Sequence, residues 1–258
     1  MSPARRAPKT IARRGDLIVE RDPRRPSAWL LRQHDMEASY VDLADPSHLE
    51  FDYLRWIRVV LWAARARRVL HIGGGACALP RALAAADPGS RQEVCEIDAD
   101  VLALAREHMG LRRTAGLHVR HAEGRGFVSR QPDGSWDAVV IDAFIGAAVP
   151  RRLITVQALT DVARVAPMAL INVVDNRAAR DVRAVAAGLS EAYPRVWTLG
   201  GRAGNTVVSG SVAALDLERV AAEIAADPSP ARLTPPAAMA PVIAGTAPLR
   251  DGATDVGA

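Results

Sequence analysis

The sequence predicts an α/β protein organised around one mostly parallel sheet. Three observations predict it. Val69-Leu70-His71-Ile72 is an apolar run that opens onto Gly73-Gly74-Gly75, the pattern of a buried strand ending in a glycine turn. Glu96-Ile97-Asp98 follows, with Glu96 placed 21 residues after Gly75, so a second strand ends in an acid. Strand-like and helix-like segments then alternate until Arg195–Leu199 and Thr206–Ser211. These two are separated by a glycine-rich turn and read as an antiparallel hairpin.

The elements follow in order. Residues 1–26 hold eight basic groups against Asp16, Glu20 and Asp22, a net +5. The whole chain is +4, so the remainder is about −1. The segment has no aromatic side chain to stack a base, and it is expected to be a basic disordered arm with no nucleic-acid partner. Residues 27–65 should form a small β-hairpin, from Trp29-Leu30-Leu31 and Ala38-Ser39-Tyr40-Val41, and an entry helix. That helix is expected to open at Asp45-Pro46-Ser47, with Leu49, Tyr53, Ile57, Val60 and Leu61 as its apolar stripe.

Residues 66–226 carry the main domain. Strands are expected at 69–72, 93–97, 117–121, 136–141, 168–174, 195–199 and 206–211. Helices are expected at 78–86, 100–109, 151–166, 178–192 and 215–226. This is a Rossmann-like seven-stranded sheet whose closing hairpin is characteristic of S-adenosylmethionine-type transferases and unusual for a nicotinamide domain. Residues 227–258 are rich in Pro, Ala, Gly and Thr with little periodicity, and are expected to be a disordered tail.

Composition excludes several classes. No apolar run reaches the roughly 18 residues that a membrane span needs. Met1–Arg14 is basic with no apolar segment behind it, so it does not read as a signal peptide. Cys77 and Cys95 are 18 residues apart and fit no metal or redox spacing. His34, His108, His118 and His121 show no ligand spacing either, and no metal is expected. A reduced, cytoplasmic setting is the expectation.

The residues that could carry chemistry cluster at strand ends. Gly73, Gly74 and Gly75 allow a ligand to approach backbone where a Cβ would collide. Glu96 stands where a carboxylate could take the two hydroxyls of a ribose. Glu123 lies just past a strand; it could accept from an adenine amino group, or be a helix N-terminal acid favoured by the dipole. Asp142 ends Val139-Val140-Ile141, at the edge of the sheet where ligands bind; it could hold a substrate ammonium and take its proton, or cap structure. Phe144 and Ile145 would present an apolar wall beside it. His48 and Glu50 open the entry helix and could cover the ligand. Asp175 and Asn176 could line the same crevice or cap a helix. His71 reads as a core position.

Taken in this order, these residues resemble the spermidine synthase (polyamine aminopropyltransferase) family. The resemblance runs from about Leu30 to Ser211 and includes Ser39-Tyr40-Val41-Asp42, Leu70-His71-Ile72-Gly73-Gly74-Gly75, Glu96-Ile97-Asp98 and Ile141-Asp142. It implies a small N-terminal β domain before the Rossmann-like domain, and a homodimer. It implies decarboxylated S-adenosylmethionine as donor, Glu96 on the ribose, Glu123 on the adenine, Asp142 as proton acceptor and a polyamine as acceptor. The chain departs from the family pattern at Ala76 and Ile145, where the family carries acids. His48-Leu49-Glu50 stands for the family's Tyr-His-Glu, and the early Leu-Asp-Gly is absent from Leu30–Met36. The expected function is therefore transfer of an aminopropyl group to an amine, with Asp142 as base. The alternatives are an S-adenosylmethionine-dependent methyltransferase and a non-catalytic nucleoside-binding protein.

Overall fold

The structure is a computed structural model, and it describes residues 9–34, 36–112, 114–175, 179–200 and 204–252. Two sheets form. The first is an antiparallel meander of β1 (Lys9–Arg14), β2 (Leu17–Arg21), β3 (Ala28–Gln33) and β4 (Met36–Asp42), in chain order. Leu17 and Val19 alternate inward on β2, and Leu31 joins them from β3. The hairpin expected from 29–41 is present, but it is half of a larger sheet. The basic arm is thus corrected for residues 9–21, which are strands; residues 1–8 lie outside the described residues. Leu17-Ile18-Val19 is a short continuous apolar run, and the flanking Arg13, Arg14 and Arg21 masked it. One of them, Arg14, reaches Glu107 at 2.7 Å and ties this sheet to the main domain.

The entry helix α1 (Asp52–Ala63) begins later than expected. Asp45 accepts hydrogen bonds from the backbone N–H and hydroxyl of Ser47, at 3.1 and 2.5 Å, and this local turn competes with helix at 45–47. Tyr53, Ile57, Val60 and Leu61 do form the buried stripe.

The main domain then runs β5 (Arg68–Ile72), α2 (Ala78–Ala86), β6 (Arg91–Glu96), α3 (Ala99–His108), β7 (Leu117–His121), α4 (Gly124–Ser129) and β8 (Ala138–Ile141). It continues with α5 (Val156–Val165), β9 (Met168–Asp175), α6 (Arg180–Ala192), β10 (Arg195–Gly200), β11 (Gly204–Ser211) and α7 (Leu217–Ala225). The sheet order is β12-β10-β11-β9-β8-β5-β6-β7, where β12 is Arg232–Thr234. Strands β5 to β9 run parallel to one another, and β11 slots antiparallel between β9 and β10. This is the methyltransferase-type arrangement, a central parallel-dominated sheet with a separate small antiparallel sheet before it. The expected seven strands are all present, and β12 adds an eighth at the edge.

That eighth strand corrects the expected disordered tail. Asp227 accepts two hydrogen bonds from Arg55 of α1, at 2.8 and 2.9 Å, and Trp56 donates to the Ser229 carbonyl at 2.9 Å. A short helix α8 (Ala240–Ile243) follows, and Met239 before it is buried. The Val156 N–H donates to the Leu249 carbonyl at 2.8 Å, and Arg125 grips Asp251, holding its carboxyl at about 2. Each anchor is a single long-range contact, so the segment shows no period in sequence. Residues 253–258 lie outside the described residues.

No described helix is long and apolar enough to cross a membrane, and no group of three or more metal-ligating side chains occurs among the described residues. Chain order leaves β5 in one direction toward β6 and β7, and in the other from β8 to β9. The crevice at the carboxyl ends of β5 and β8 is the switch point where such sheets place ligands.

Candidate functional site

A cavity of about 640 Å³ opens at that switch point. Gly73, Gly74 and Gly75 form part of its wall. Gly73 has φ +78°, and a Cβ on it would overlap the Asp142 carbonyl, so the two strand ends can close up only around glycine. A Cβ on Gly74 would come within 2.6 Å of Val94 Cγ1.

Glu96, at the end of β6, is buried and reaches the loop. Its Oε2 accepts from Gly74 N–H at 3.2 Å and Gly75 N–H at 3.1 Å, and its Oε1 accepts from Asp98 N–H at 3.0 Å. The acid thus holds the glycine turn as well as facing the cavity. Glu123 also lines the cavity, as the N-cap of α4. It accepts from Arg125 N–H at 3.0 Å and Gly126 N–H at 2.6 Å, and Arg152 Nε lies 3.6 Å away. The helix-terminal role is present in the geometry.

Asp142 is held in the cavity by two side chains. Its Oδ2 accepts from the Tyr53 hydroxyl at 2.9 Å, and its Oδ1 accepts from Asn172 Nδ2 at 2.9 Å. Loss of hydration pushes the Asp142 carboxyl above the usual aspartate range, and the negative charge of Glu96 adds to this. The hydrogen bonds from Asn172 and Tyr53 favour the ionised form but do not reverse the shift. Burial, together with the Asp142 charge, drives the Tyr53 hydroxyl well above its usual range, so it remains a donor. Asn172 is buried in β9, and its Oδ1 accepts no hydrogen bond from the described residues. His71 is buried against Gln92, at 2.9 Å, and desolvation lowers it to about 4, so it is neutral at ordinary pH. It is the core position expected, although an edge of it reaches the cavity. The Cys77 and Cys95 thiols are free and buried, both pushed up to about 12 by burial.

The structure does not bring two of the expected substrate contacts to the cavity. His48 and Glu50 do not line the cavity. His48 packs between Arg25, at 2.8 Å, and Glu50, at 3.0 Å, with the Tyr40 ring 5.8 Å away. The cause is the late start of α1: residues 45–50 form a turn against the N-terminal sheet, and Phe51 and Tyr53 reach the cavity instead. Ala76, where the family pattern carries an acid, is wholly buried and is not among the residues that line the cavity; its N–H donates to Ser39 Oγ at 3.1 Å. Asp175 ends β9, and its side chain, like Asn176, lies outside what is described.

Sequence reasoning missed Asn172 and the role of Tyr53. Asn172 carried a signal, since it is a lone amide inside an apolar parallel strand, where a polar group needs a reason. Tyr53 carried none beyond its place in the helical stripe.

Fold and site together define a Rossmann-like domain of the methyltransferase type, with a carboxylate-bearing cavity at its switch point. No family model matches the chain. The chain is similar to the polyamine aminopropyltransferase of Vibrio vulnificus (strain CMCP6), 29% identical over 119 residues, 45% of this chain. That match spans 40% of the relative's length. Among solved structures it resembles the probable spermidine synthase from Corynebacterium glutamicum ATCC 13032, with TM-score 0.84 and 26% identity over 94% of this chain and 95% of that one. The fold is shared with a spermidine synthase in complex with the transition state analogue AdoDATO, at TM-score 0.59 and 15% identity over 81% of this chain and 73% of that one. It is shared too with human methyltransferase-like protein 13 in complex with SAH, at TM-score 0.54 and 18% identity over 66% and 89%. These findings support a spermidine-synthase-like protein on a methyltransferase-type fold.

Proposed function

We propose that this chain is an aminopropyltransferase-like enzyme that binds an adenosyl sulfonium nucleoside, with decarboxylated S-adenosylmethionine as donor and an amine as acceptor. The observation that carries the proposal is Asp142, held by Tyr53 and Asn172 at the cavity beside the glycine loop. In this reading the glycine loop and Glu96 take the ribose, and Glu123 takes the adenine amino group through a carboxylate lone pair that its capping bonds leave free. The nucleophile is a neutral amine. Its lone pair attacks the propyl carbon bonded to sulfur, the C–N bond forms as the C–S bond breaks, and sulfur leaves with the electron pair in neutral methylthioadenosine. The proton lost by the amine goes to Asp142. A carboxylate whose affinity for protons is raised is a better base than an ordinary aspartate. The leaving group is already cationic, so the work of the protein is to orient the amine and remove its proton.

The test is release of methylthioadenosine from decarboxylated S-adenosylmethionine in the presence of an amine, on the wild type and Asp142→Asn. Release abolished by the substitution supports the proposal. Methyl transfer from S-adenosylmethionine, or tight methylthioadenosine binding with no turnover of any amine, overturns it in favour of a methyltransferase or a non-catalytic nucleoside-binding protein.

A further inference from the structure

The cavity around Asp142 has a chemical asymmetry that bears on the acceptor. Three segments converge on this carboxylate, and each presents an apolar side chain two residues away from the group that sets it. Phe144 follows Asp142, Val174 follows Asn172, and Phe51 precedes Tyr53; all three line the cavity. On β9, residues two apart share a face, so Val174 stands on the side from which Asn172 reaches Asp142. The Phe51 ring lies 6.1 Å from that of Tyr53, at 16° between planes, continuing the wall. Ile145 joins them with 72% of its surface exposed, and Val174 with 36%. Large apolar groups gathered and exposed at a cavity wall are the mark of a surface a ligand covers.

The other acids of the cavity are engaged. Glu96 holds the glycine loop, while Asp98 and Glu123 cap α3 and α4 through backbone N–H groups. Glu37 is exposed on β4 and lies 3.7 Å from Arg32. Among the described residues lining the cavity, Asp142 is the one carboxylate set by neutral side chains. Phe144, Ile145 and Val174 offer no opposite charge to a second ammonium that loses its water against them.

We infer that the acceptor is an amine with a single ammonium on an apolar body, its nitrogen at Asp142 and its carbon chain along Phe51, Phe144, Ile145 and Val174. The inference rests on the aminopropyl-transfer reading above. The test compares n-pentylamine with putrescine, which differ by a methyl in place of one terminal ammonium. Methylthioadenosine binding is first measured by calorimetry, and its release from decarboxylated S-adenosylmethionine is then followed with each amine. The expected kcat/KM is at least about tenfold higher for n-pentylamine. In Ile145→Asp, exposed enough to leave the fold intact, the preference should shift toward putrescine by about tenfold. A wild type that uses putrescine equally well or better overturns the inference and leaves the transferase reading standing, as does a ratio unchanged by Ile145→Asp. No release with either of these amines or a wider panel removes the transferase reading, and this inference with it.

Discussion

The Tyr53 hydroxyl donates to Oδ2 of Asp142 at 2.9 Å, joining groups 89 residues apart in the chain. The bond links the first turn of the entry helix to the end of a central strand. It sets the direction in which the carboxylate faces the cavity.

Tyr53→Phe removes one of the two hydrogen bonds that favour ionised Asp142. The carboxyl should then titrate higher, and the acid limb of the kcat/KM profile should move to higher pH. A fall of roughly 10- to 100-fold in kcat/KM is expected. A pH–rate profile for methylthioadenosine release checks it; a lower rate with an unmoved limb would mean that Tyr53 only packs.

Asp142→Asn should cost activity and not stability. The folded Asp142 binds its proton more tightly than an unfolded aspartate, whose usual value is 3.8. As pH rises from that value through the raised one, the folded state holds more protons than the unfolded state, so the wild type loses stability across that window. Above it the full penalty of a desolvated charge remains. The variant should therefore melt at an equal or higher temperature at neutral pH, and the difference should shrink below about pH 4. Thermal melts of both proteins across pH decide this, while activity falls by roughly 100-fold or more.

Gly73→Ala should destabilise the domain. Its φ of +78° disfavours any side chain, and the new Cβ overlaps the Asp142 carbonyl. Backbone strain alone is worth roughly 1–3 kcal/mol, so a clear drop in the urea midpoint is expected. A midpoint equal to wild type would show that the loop relaxes freely away from β8.

Arg55→Ala should loosen both the C-terminal segment and the site. Arg55 pairs with Asp227 and also donates to the carbonyls of Leu49 and Glu50, just before Phe51. Burial would raise the Asp227 carboxyl, but Arg55 and the Ser229 N–H hold it below the usual range. The pair is partly buried, and its loss should cost about 1–3 kcal/mol. Faster amide exchange at 227–234 in a hydrogen-exchange experiment would accompany the drop; unchanged exchange there would count against the anchoring role.

The sequence by itself determined the central sheet. Period and punctuation are local, so the glycine turn, the strands from Arg68 to Asp175 and the closing hairpin were legible, as was the place of Glu96 and Asp142 at strand ends. It did not reveal β1 and β2, whose short apolar runs stand among charged residues, or the ordered segment after Asp227, whose contacts with Arg55, Trp56 and Val156 are distant along the chain. Tertiary structure alone decided which groups meet Asp142. Tyr53, Asn172 and Asp142 come from three separate elements, and only the parallel packing of β8 and β9 under the start of α1 brings them within hydrogen-bond reach. It also took His48 and Glu50 away from the cavity, where the turn set by Asp45 packs His48 against Arg25, and it buried Ala76.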